Sequence, residues 1–222
     1  MSKINITIIN GSPRANKNSC AFARSIEKTA RRKKMDTEIF WVMKSFSLKS
    51  VDPDLIESIE KSGLIIFISP LYADFITYPM VWMMEQLKKD FNNELKGKVL
   101  FGISQCAFPY WKLNIASLNA MSFFAEECGM RWYGGLGYGG AAFIDGKNLE
   151  EIGKSGRKLI KAFDSSLEFL LKNKKISFEI QKSLEIKVPR IFTRPLAWLL
   201  NKRIKKMCLK KRVKDPAIKS YL

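Results

Sequence analysis

Residues 64–69 form an uninterrupted apolar run, Leu-Ile-Ile-Phe-Ile closed by a serine, in which apolar and polar positions do not alternate. A strand that has one face in water alternates, whereas a parallel strand that is covered on both faces does not. The run therefore predicts a β-strand at the centre of a parallel sheet that is covered by helices on both sides.

Strand-like and helix-like segments alternate through the first 171 residues. Asp52 is expected to cap one helix, with Pro53 at its first position. Five strands alternating with five helices predict an α/β fold, a doubly wound five-stranded parallel sheet with helices on both faces. The predicted strands span 3–9, 37–42, 64–69, 98–104 and 131–138. The first predicted helix starts at 18 or 19, and the other four span 52–61, 79–91, 113–128 and 149–171.

The positive charge of the chain is concentrated at its C-terminal end. The chain carries a formal net charge of +18, and residues 172–222 account for +13 of it. We therefore divide the sequence into a domain of residues 1–171 and a basic C-terminal extension of residues 172–222. The extension is predicted to be helical from Pro195, with apolar residues at a nearly helical spacing: Leu196, Leu200, Ile204 and Met207.

Two interpretations of the basic extension stay open. In the first, its helix makes peripheral contact with an anionic membrane surface, which attracts clustered lysines and arginines. In the second, the helix packs on its own domain or on a dimer partner and directs its lysines into solvent. No recognised nucleic-acid-binding motif accompanies the charge, so we expect no nucleic-acid partner.

The composition excludes several kinds of active site. The chain has no histidine, which removes Ser-His-Asp triads, Cys-His pairs and His-ligated zinc. Its four cysteines, at 20, 106, 128 and 208, are scattered and contain no Cys-x-x-Cys pair, so we expect neither a zinc site nor an iron–sulfur cluster. Scattered cysteines, no visible signal peptide and no apolar run of about 18 residues favour a cytoplasmic protein.

The loop after the first predicted strand, residues 10–19, has the composition of an anion site. It combines a glycine, small hydroxyl and amide side chains, two cations and the start of a helix, whose free N–H groups attract phosphate. It matches neither a Walker A loop nor a Gly-x-Gly-x-x-Gly fingerprint. A plain turn followed by a helix cap is the alternative interpretation.

Three further strand-end loops carry aromatic residues or glycines. Residues 69–80 hold two tyrosines and a phenylalanine, which favour either stacking on a flat ring or packing beneath the next helix. Residues 104–111 bring Cys106 beside aromatic rings, but a cysteine without a histidine partner is a poor nucleophile. Residues 134–140 contain five glycines, which permit close approach of a ligand or form an irregular strand end.

Together these loops resemble the flavodoxin-like NAD(P)H-dependent oxidoreductases, the family of NADPH-dependent FMN and quinone reductases. The resemblance covers residues 3–171, and its most characteristic segments are Asn-Gly-Ser-Pro-Arg at 10–14 and Ser-Pro-Leu-Tyr at 69–72. The later loops at 105–109 and 134–140 follow in the family's order. Two features depart from the family: Lys17 lies where a further glycine is usual, and the basic extension has no recognised counterpart.

The resemblance implies a flavodoxin-like fold and a non-covalently bound FMN. It also implies NAD(P)H as the co-substrate that reduces the FMN, which then reduces a quinone, a flavin or a similar small acceptor. It implies no catalytic side chain and no metal, and a homodimer or homotetramer in which a partner subunit completes the ring site. The alternative is an FMN-binding electron carrier, or a module that docks on a partner or a membrane, without NAD(P)H turnover. The implied cofactor-binding residues are Ser12, Arg14, Asn16, Asn18 and Ser19 for the phosphate, Pro70, Leu71, Tyr72 and Ala73 for the isoalloxazine ring, and Gln105, Cys106 and Phe108 from the next loop.

Overall fold

The computed structural model describes residues 5–187, 189, 194–195, 197–199, 201–202 and 205–206. In this part of the chain the strands are β1 (Asn5–Asn10), β2 (Asp36–Trp41), β3 (Leu64–Tyr72), β4 (Phe75–Ile76), β5 (Val99–Gln105) and β6 (Arg131–Tyr138). The α-helices of residues 5–186 are α1 (Asn18–Arg32), α2 (Val42–Leu48), α3 (Pro53–Lys61), α4 (Tyr78–Asp90), α5 (Asn92–Leu95), α6 (Ile115–Glu127), α7 (Gly153–Leu171) and α8 (Phe178–Ser183).

Five of the strands form one parallel sheet in the order β2-β1-β3-β5-β6. The two-residue β4 pairs antiparallel with the end of β3 and lies off this path. With that hairpin set aside, the order is the 2-1-3-4-5 order of flavodoxin-like folds. The predicted fold class is therefore confirmed. The order reverses direction between β1 and β3, and ligands of such sheets bind at that point, beyond the carboxyl ends of the strands.

Each face of the sheet packs against its own set of helices. On one face, β1 residues Ile6 and Ile8 pack with α1 and α7 through fully buried side chains such as Phe22 and Phe163. On the other face, β3 residue Phe67 packs with α3, α4 and α6. Because neighbouring residues of a strand point to opposite faces, a continuous apolar run fills both cores, as the sequence of β3 predicts.

Most predicted elements are present, with a few local differences. Asp52 caps α3 as expected, accepting a hydrogen bond from the Asp54 N–H at 3.2 Å. The predicted helix 149–171 is interrupted, because Gly153 takes a φ of +63° between a short 3₁₀ turn and α7. The helices α2, α5 and α8 were not predicted, although Ser177 caps α8 at its first turn.

The chain divides into two compact units, Met1–Ile186 and Lys187–Leu222. The first includes residues 172–186, which the sequence analysis assigns to the basic extension. In the second, the described residues between 194 and 206 are helical, and the Lys202 ammonium lies 5.1 Å from the centre of the Trp198 ring. The apolar residues that were expected to line this helix lie outside the described residues: Leu196, Leu200, Ile204 and Met207.

Candidate functional site

Residues 11–17, which follow β1 and form part of the predicted phosphate site, are referred to as the phosphate loop. This loop is joined to the elements on either side of it. The Gly11 N–H donates to the Ile68 carbonyl of β3 at 2.8 Å, and the Gly11 carbonyl accepts from the Thr77 hydroxyl at 2.6 Å. The Trp41 indole N–H, at the end of β2, donates to the Ser12 carbonyl at 2.5 Å. The loop is thus held at the point where the strand order reverses.

Asn10 and Ser12 shape the first turn of the phosphate loop from within. The Asn10 carboxamide accepts from the Ser12 N–H at 3.0 Å and donates to Cys20 Sγ at 3.2 Å. Ser12 Oγ accepts from the Arg14 N–H at 3.2 Å and lies 3.1 Å from the Arg14 carbonyl, to which it donates. Both side chains are buried. The predicted site residues do not include Asn10, although an asparagine between a buried strand and a glycine is a typical turn former.

The N-terminus of α1 follows the phosphate loop and carries no negative charge in its first turn. Its N-cap residue, Lys17, makes no side-chain capping hydrogen bond, and the Ala21 N–H donates back to the Lys17 carbonyl at 3.1 Å. The N–H groups before Ala21 therefore have no partner within the helix. Unpaired N–H groups and the positive end of the helix dipole favour an anion at this position.

Asn18 joins the start of α1 to the loop after β6. Its carboxamide donates to the Ala141 carbonyl at 2.7 Å and accepts from the Gly146 N–H at 2.8 Å. Gly146 has a φ of +77°, and a Cβ there would lie 2.6 Å from the Asn16 carbonyl oxygen, so the two loops approach each other closely. Both polar ends of Asn18 are engaged with backbone, which places this side chain between the loops.

The end of β3 presents an exposed aromatic ring beside the phosphate loop. The Arg14 guanidinium lies 5.6 Å from the centre of the Tyr72 ring, within the range of a cation–π contact. Ala73 and Asp74, with φ of +48° and +59°, form the two-residue turn that folds β4 back on β3. Tyr72 is 39% exposed, so one end of the site is polar and the other carries an aromatic ring.

The loop after β5 contributes one buried amide, one buried thiol and an exposed ring. The Gln105 carboxamide lies 3.4 Å from Ser19 Oγ on α1. Cys106 Sγ accepts from the Asn114 carboxamide at 3.4 Å, and burial is the main cause that raises the pKa of this thiol above its ordinary value. A buried thiol with a raised pKa carries little of the thiolate form that attacks as a nucleophile. Phe108 is 56% exposed at the outer end of the loop.

Comparisons with known proteins identify the family of the chain. Residues 4–130, which include β1 through α6 and the first three loops, match the family model described as NADPH-dependent FMN reductase. The chain belongs to this family. The family binds FMN and uses NADPH as its electron donor, which confirms the expected cofactor. No curated protein matches the chain.

Solved structures with the fold of this FMN reductase family member include one titled NADH:FMN oxidoreductase in its apo form, with a TM-score of 0.56 and 14% identity over 74% of this chain and 90% of that one. A flavone reductase has a TM-score of 0.55 at 12% identity, over 76% of this chain and 64% of that one. The Trp repressor binding protein of Bacillus subtilis has a TM-score of 0.54 at 17% identity, over 72% of this chain and 96% of that one. At these identities the likeness concerns the fold alone.

The residues present fit an FMN in this family member. Residues 10–19 contain no acidic side chain, and the N–H groups at the start of α1 suit a phosphate. Tyr72 and Phe108 present exposed rings that suit a flat ring system. Of the other predicted site residues, Asn16 is exposed at a φ of +52°, Pro70 is buried in β3 and Leu71 is half-buried beside it.

The described residues were also searched for metal clusters, disulfides and membrane-spanning helices. No group of three or more His, Cys, Asp or Glu residues there could hold a metal ion. The three cysteines in the described part of the chain are free, and two of them, Cys106 and Cys128, are buried. Within the same residues, none of the helices is long and apolar enough to cross a membrane.

Proposed function

We propose that this FMN reductase family member transfers a hydride from NAD(P)H through bound FMN to a small acceptor such as a quinone or a free flavin. The observation that supports the proposal is the meeting of two unlike surfaces at the carboxyl end of the sheet. A polar, acid-free loop lies next to exposed aromatic rings, and Arg14 and Tyr72 are in contact where the two surfaces meet.

The proposed site assigns the phosphate to the loop and helix start after β1 and the isoalloxazine ring to the loops after β3 and β5. Among the predicted phosphate residues, Asn18 is the one whose side chain is bonded at both ends to the loop after β6. We assign it to holding that loop against the phosphate site. The proposed FMN contacts are Ser12, Arg14, Asn16 and Ser19 for the phosphate and Pro70, Leu71, Tyr72, Ala73, Gln105, Cys106 and Phe108 for the ring.

The side chains of this site bind and orient, and none of them serves as an acid or base. Bound FMN supplies the hydride chemistry, while the protein supplies position and electrostatics. The exposed Tyr72 and Phe108 rings offer apolar surface that excludes water from a flat ligand between them. A chain without histidine is compatible with this division of roles.

Four more exposed rings follow the same strands: Phe75 and Tyr78 after β3, Tyr110 after β5 and Phe143 after β6, each between 45% and 72% exposed. The carboxyl ends of parallel strands meet at one edge of the sheet, and large exposed apolar surface marks a site that binds another molecule. We propose that a second subunit covers part of this aromatic surface in a homodimer or homotetramer, and size-exclusion chromatography with light scattering would measure the oligomeric state.

The test of the proposed function is the flavin content and turnover of the purified protein. We expect a yellow protein that retains or takes up FMN and that oxidises NADPH or NADH when a quinone or free flavin is added. Uptake of FMN without oxidation of either nicotinamide would favour the electron-carrier alternative. A colourless protein that takes up no FMN would overturn both the cofactor site and the proposed reaction.

The cytoplasmic location and the contact of the basic extension with an anionic membrane remain proposals. The informative truncation ends at Ile186, because residues 172–186 belong to the first compact unit. If the extension binds membranes, the full chain sediments with vesicles that contain acidic phospholipid, and the truncated chain does not. Equal sedimentation of the two chains would remove this role.

A further inference from the structure

Three carbonyl groups in the first part of the phosphate loop are turned toward side-chain hydrogen-bond donors. The Gly11 carbonyl accepts from Thr77 at 2.6 Å, the Ser12 carbonyl accepts from Trp41 at 2.5 Å, and the Arg14 carbonyl lies 3.1 Å from the hydroxyl of Ser12. Three carbonyls within a four-residue segment are thus engaged by side chains. Two of these donors come from other elements, Trp41 from the end of β2 and Thr77 from the start of α4.

The direction of these carbonyls matters for an anion site. A carbonyl oxygen carries a partial negative charge, so one that faced the ligand would repel a phosphate, whereas N–H groups attract it. A short loop can reorient its peptide groups unless something outside the loop fixes them. The donors from β2 and α4 fix the orientation of two consecutive peptide groups, the one that follows Gly11 and the one that follows Ser12.

Trp41 is suited to this task because its indole has a donor and no acceptor, so its polar atom can pair only with an acceptor such as a carbonyl. The ring is 39% exposed and borders a cleft of about 720 Å³ that is also lined by Ile39, Leu48 and Leu55. Packing therefore covers the indole only in part. The hydrogen bond to the buried Ser12 fixes both the indole and the carbonyl.

We propose that Trp41 and Thr77 are positioning residues that hold the Ser12 and Gly11 carbonyls away from the flavin phosphate. The proposal rests on the proposed function, because it takes residues 11–17 as the phosphate site. Neither side chain is expected to touch the isoalloxazine ring. Their loss should therefore weaken the binding of FMN, which carries the phosphate, and leave the binding of riboflavin, which lacks it, unchanged.

The test compares the affinities of the full chain for FMN and riboflavin, measured by quenching of flavin fluorescence. Trp41→Phe keeps an aromatic ring and removes the indole N–H, and Thr77→Val keeps the shape and removes the hydroxyl. Each should weaken FMN binding about three- to tenfold, the effect of one hydrogen bond, with riboflavin affinity unchanged. Thr77→Ser keeps the hydroxyl that Thr77→Val removes, and it should bind FMN as tightly as the wild type.

Trp82 provides the matched control for Trp41. It lies on α4, where its ring meets Phe46 edge-on at 5.5 Å, and its indole N–H has no hydrogen bond within the described part of the chain. Trp82→Phe should leave both flavin affinities as they are in the wild type. Melting curves of the flavin-free proteins identify a variant that fails to fold, in which case Thr77→Val and Thr77→Ser decide the question.

The outcomes separate this proposal from the proposed function. Unchanged FMN affinity in both Trp41→Phe and Thr77→Val would overturn the positioning role, and so would equal weakening of FMN and riboflavin. If the wild type binds FMN and either of these results appears, the proposed function stands without the positioning role. A wild type that binds no FMN would instead overturn the proposed function.

Discussion

Gly11→Ala probes the close approach between the phosphate loop and α4. A Cβ at Gly11 would lie 2.7 Å from Met80 Cβ, 2.9 Å from Cγ and 2.8 Å from Sδ. The outer atoms of Met80 can rotate away, but its Cβ is fixed to the helix backbone. Gly11 cannot easily retreat either, because its N–H and carbonyl are bonded to Ile68 and Thr77. The substitution must therefore shift the loop or the helix.

Overpacking of this kind typically costs about 1–3 kcal/mol. In a protein of this size each kcal/mol lowers the melting temperature by about 2–4 °C, so we expect a fall of about 2–12 °C. Calorimetry or circular dichroism of the flavin-free protein measures it. We also expect weaker FMN binding, since the displaced loop holds the proposed phosphate contacts.

Gly63→Ala is the matched control, because nothing lies within 4 Å of a Cβ at that position. It should change the free energy of unfolding by less than about 0.5 kcal/mol. The packing argument is wrong if Gly11→Ala melts with the wild type and binds FMN equally well. It is also wrong if Gly63→Ala is destabilised as much as Gly11→Ala, since the loss would then reflect any glycine replacement.

Three further substitutions test other parts of the structure. Arg14→Ala should weaken FMN binding by about 1–3 kcal/mol, the effect of losing a hydrogen bond to a charged group, without weakening riboflavin binding. Gln181→Ala should lower the free energy of unfolding by about 1–3 kcal/mol, because it leaves the buried N–H and carbonyl of Gly137 unpaired. The hydrogen bond from Lys44 is the main cause that lowers the pKa of Asp52. At a pH above the ordinary aspartate pKa, the free energy of unfolding should therefore be higher for the wild type than for Asp52→Asn. This difference should disappear as the pH falls through the lowered folded-state pKa.

Each of these three has a result that would contradict it. Equal loss of FMN and riboflavin affinity in Arg14→Ala would remove the phosphate contact. Gln181→Ala should be compared with Ala at the exposed Lys182 on the same helix, and equal unfolding free energies for the two variants would remove the Gly137 bridge. For Asp52→Asn, a stability difference that does not change between neutral and acid pH would show that the charge contributes nothing.

The sheet and its two helical layers could be predicted because their signals are local. The apolar run predicts β3, and the pair Asp52 and Pro53 predicts the start of α3. Both elements are present in the structure. The helix α8 also had a local signal, Ser177 followed by Glu179, which was overlooked. Gly153 likewise marked the interruption before α7.

Other features depend on contacts between distant parts of the chain and have no local signal. The helix α2 begins at Val42, directly after β2 ends at Trp41. Trp41 makes no side-chain capping bond, and the β-branched and aromatic residues at the end of β2 continue into α2 without a break. The sequence therefore does not mark where the helix starts. The turn at Ala73 adopts a positive φ without a glycine. The bond from Trp41 to Ser12 joins residues 29 positions apart, and only the sheet order brings them together.

The most direct measurement is an anaerobic titration of the FMN-loaded full chain with NADPH, followed by the visible flavin absorbance. We expect the oxidised-flavin band to disappear as NADPH is added and to return when a quinone is mixed in. If FMN binds and the band stays unchanged in excess NADPH and in excess NADH, the proposed hydride transfer is wrong.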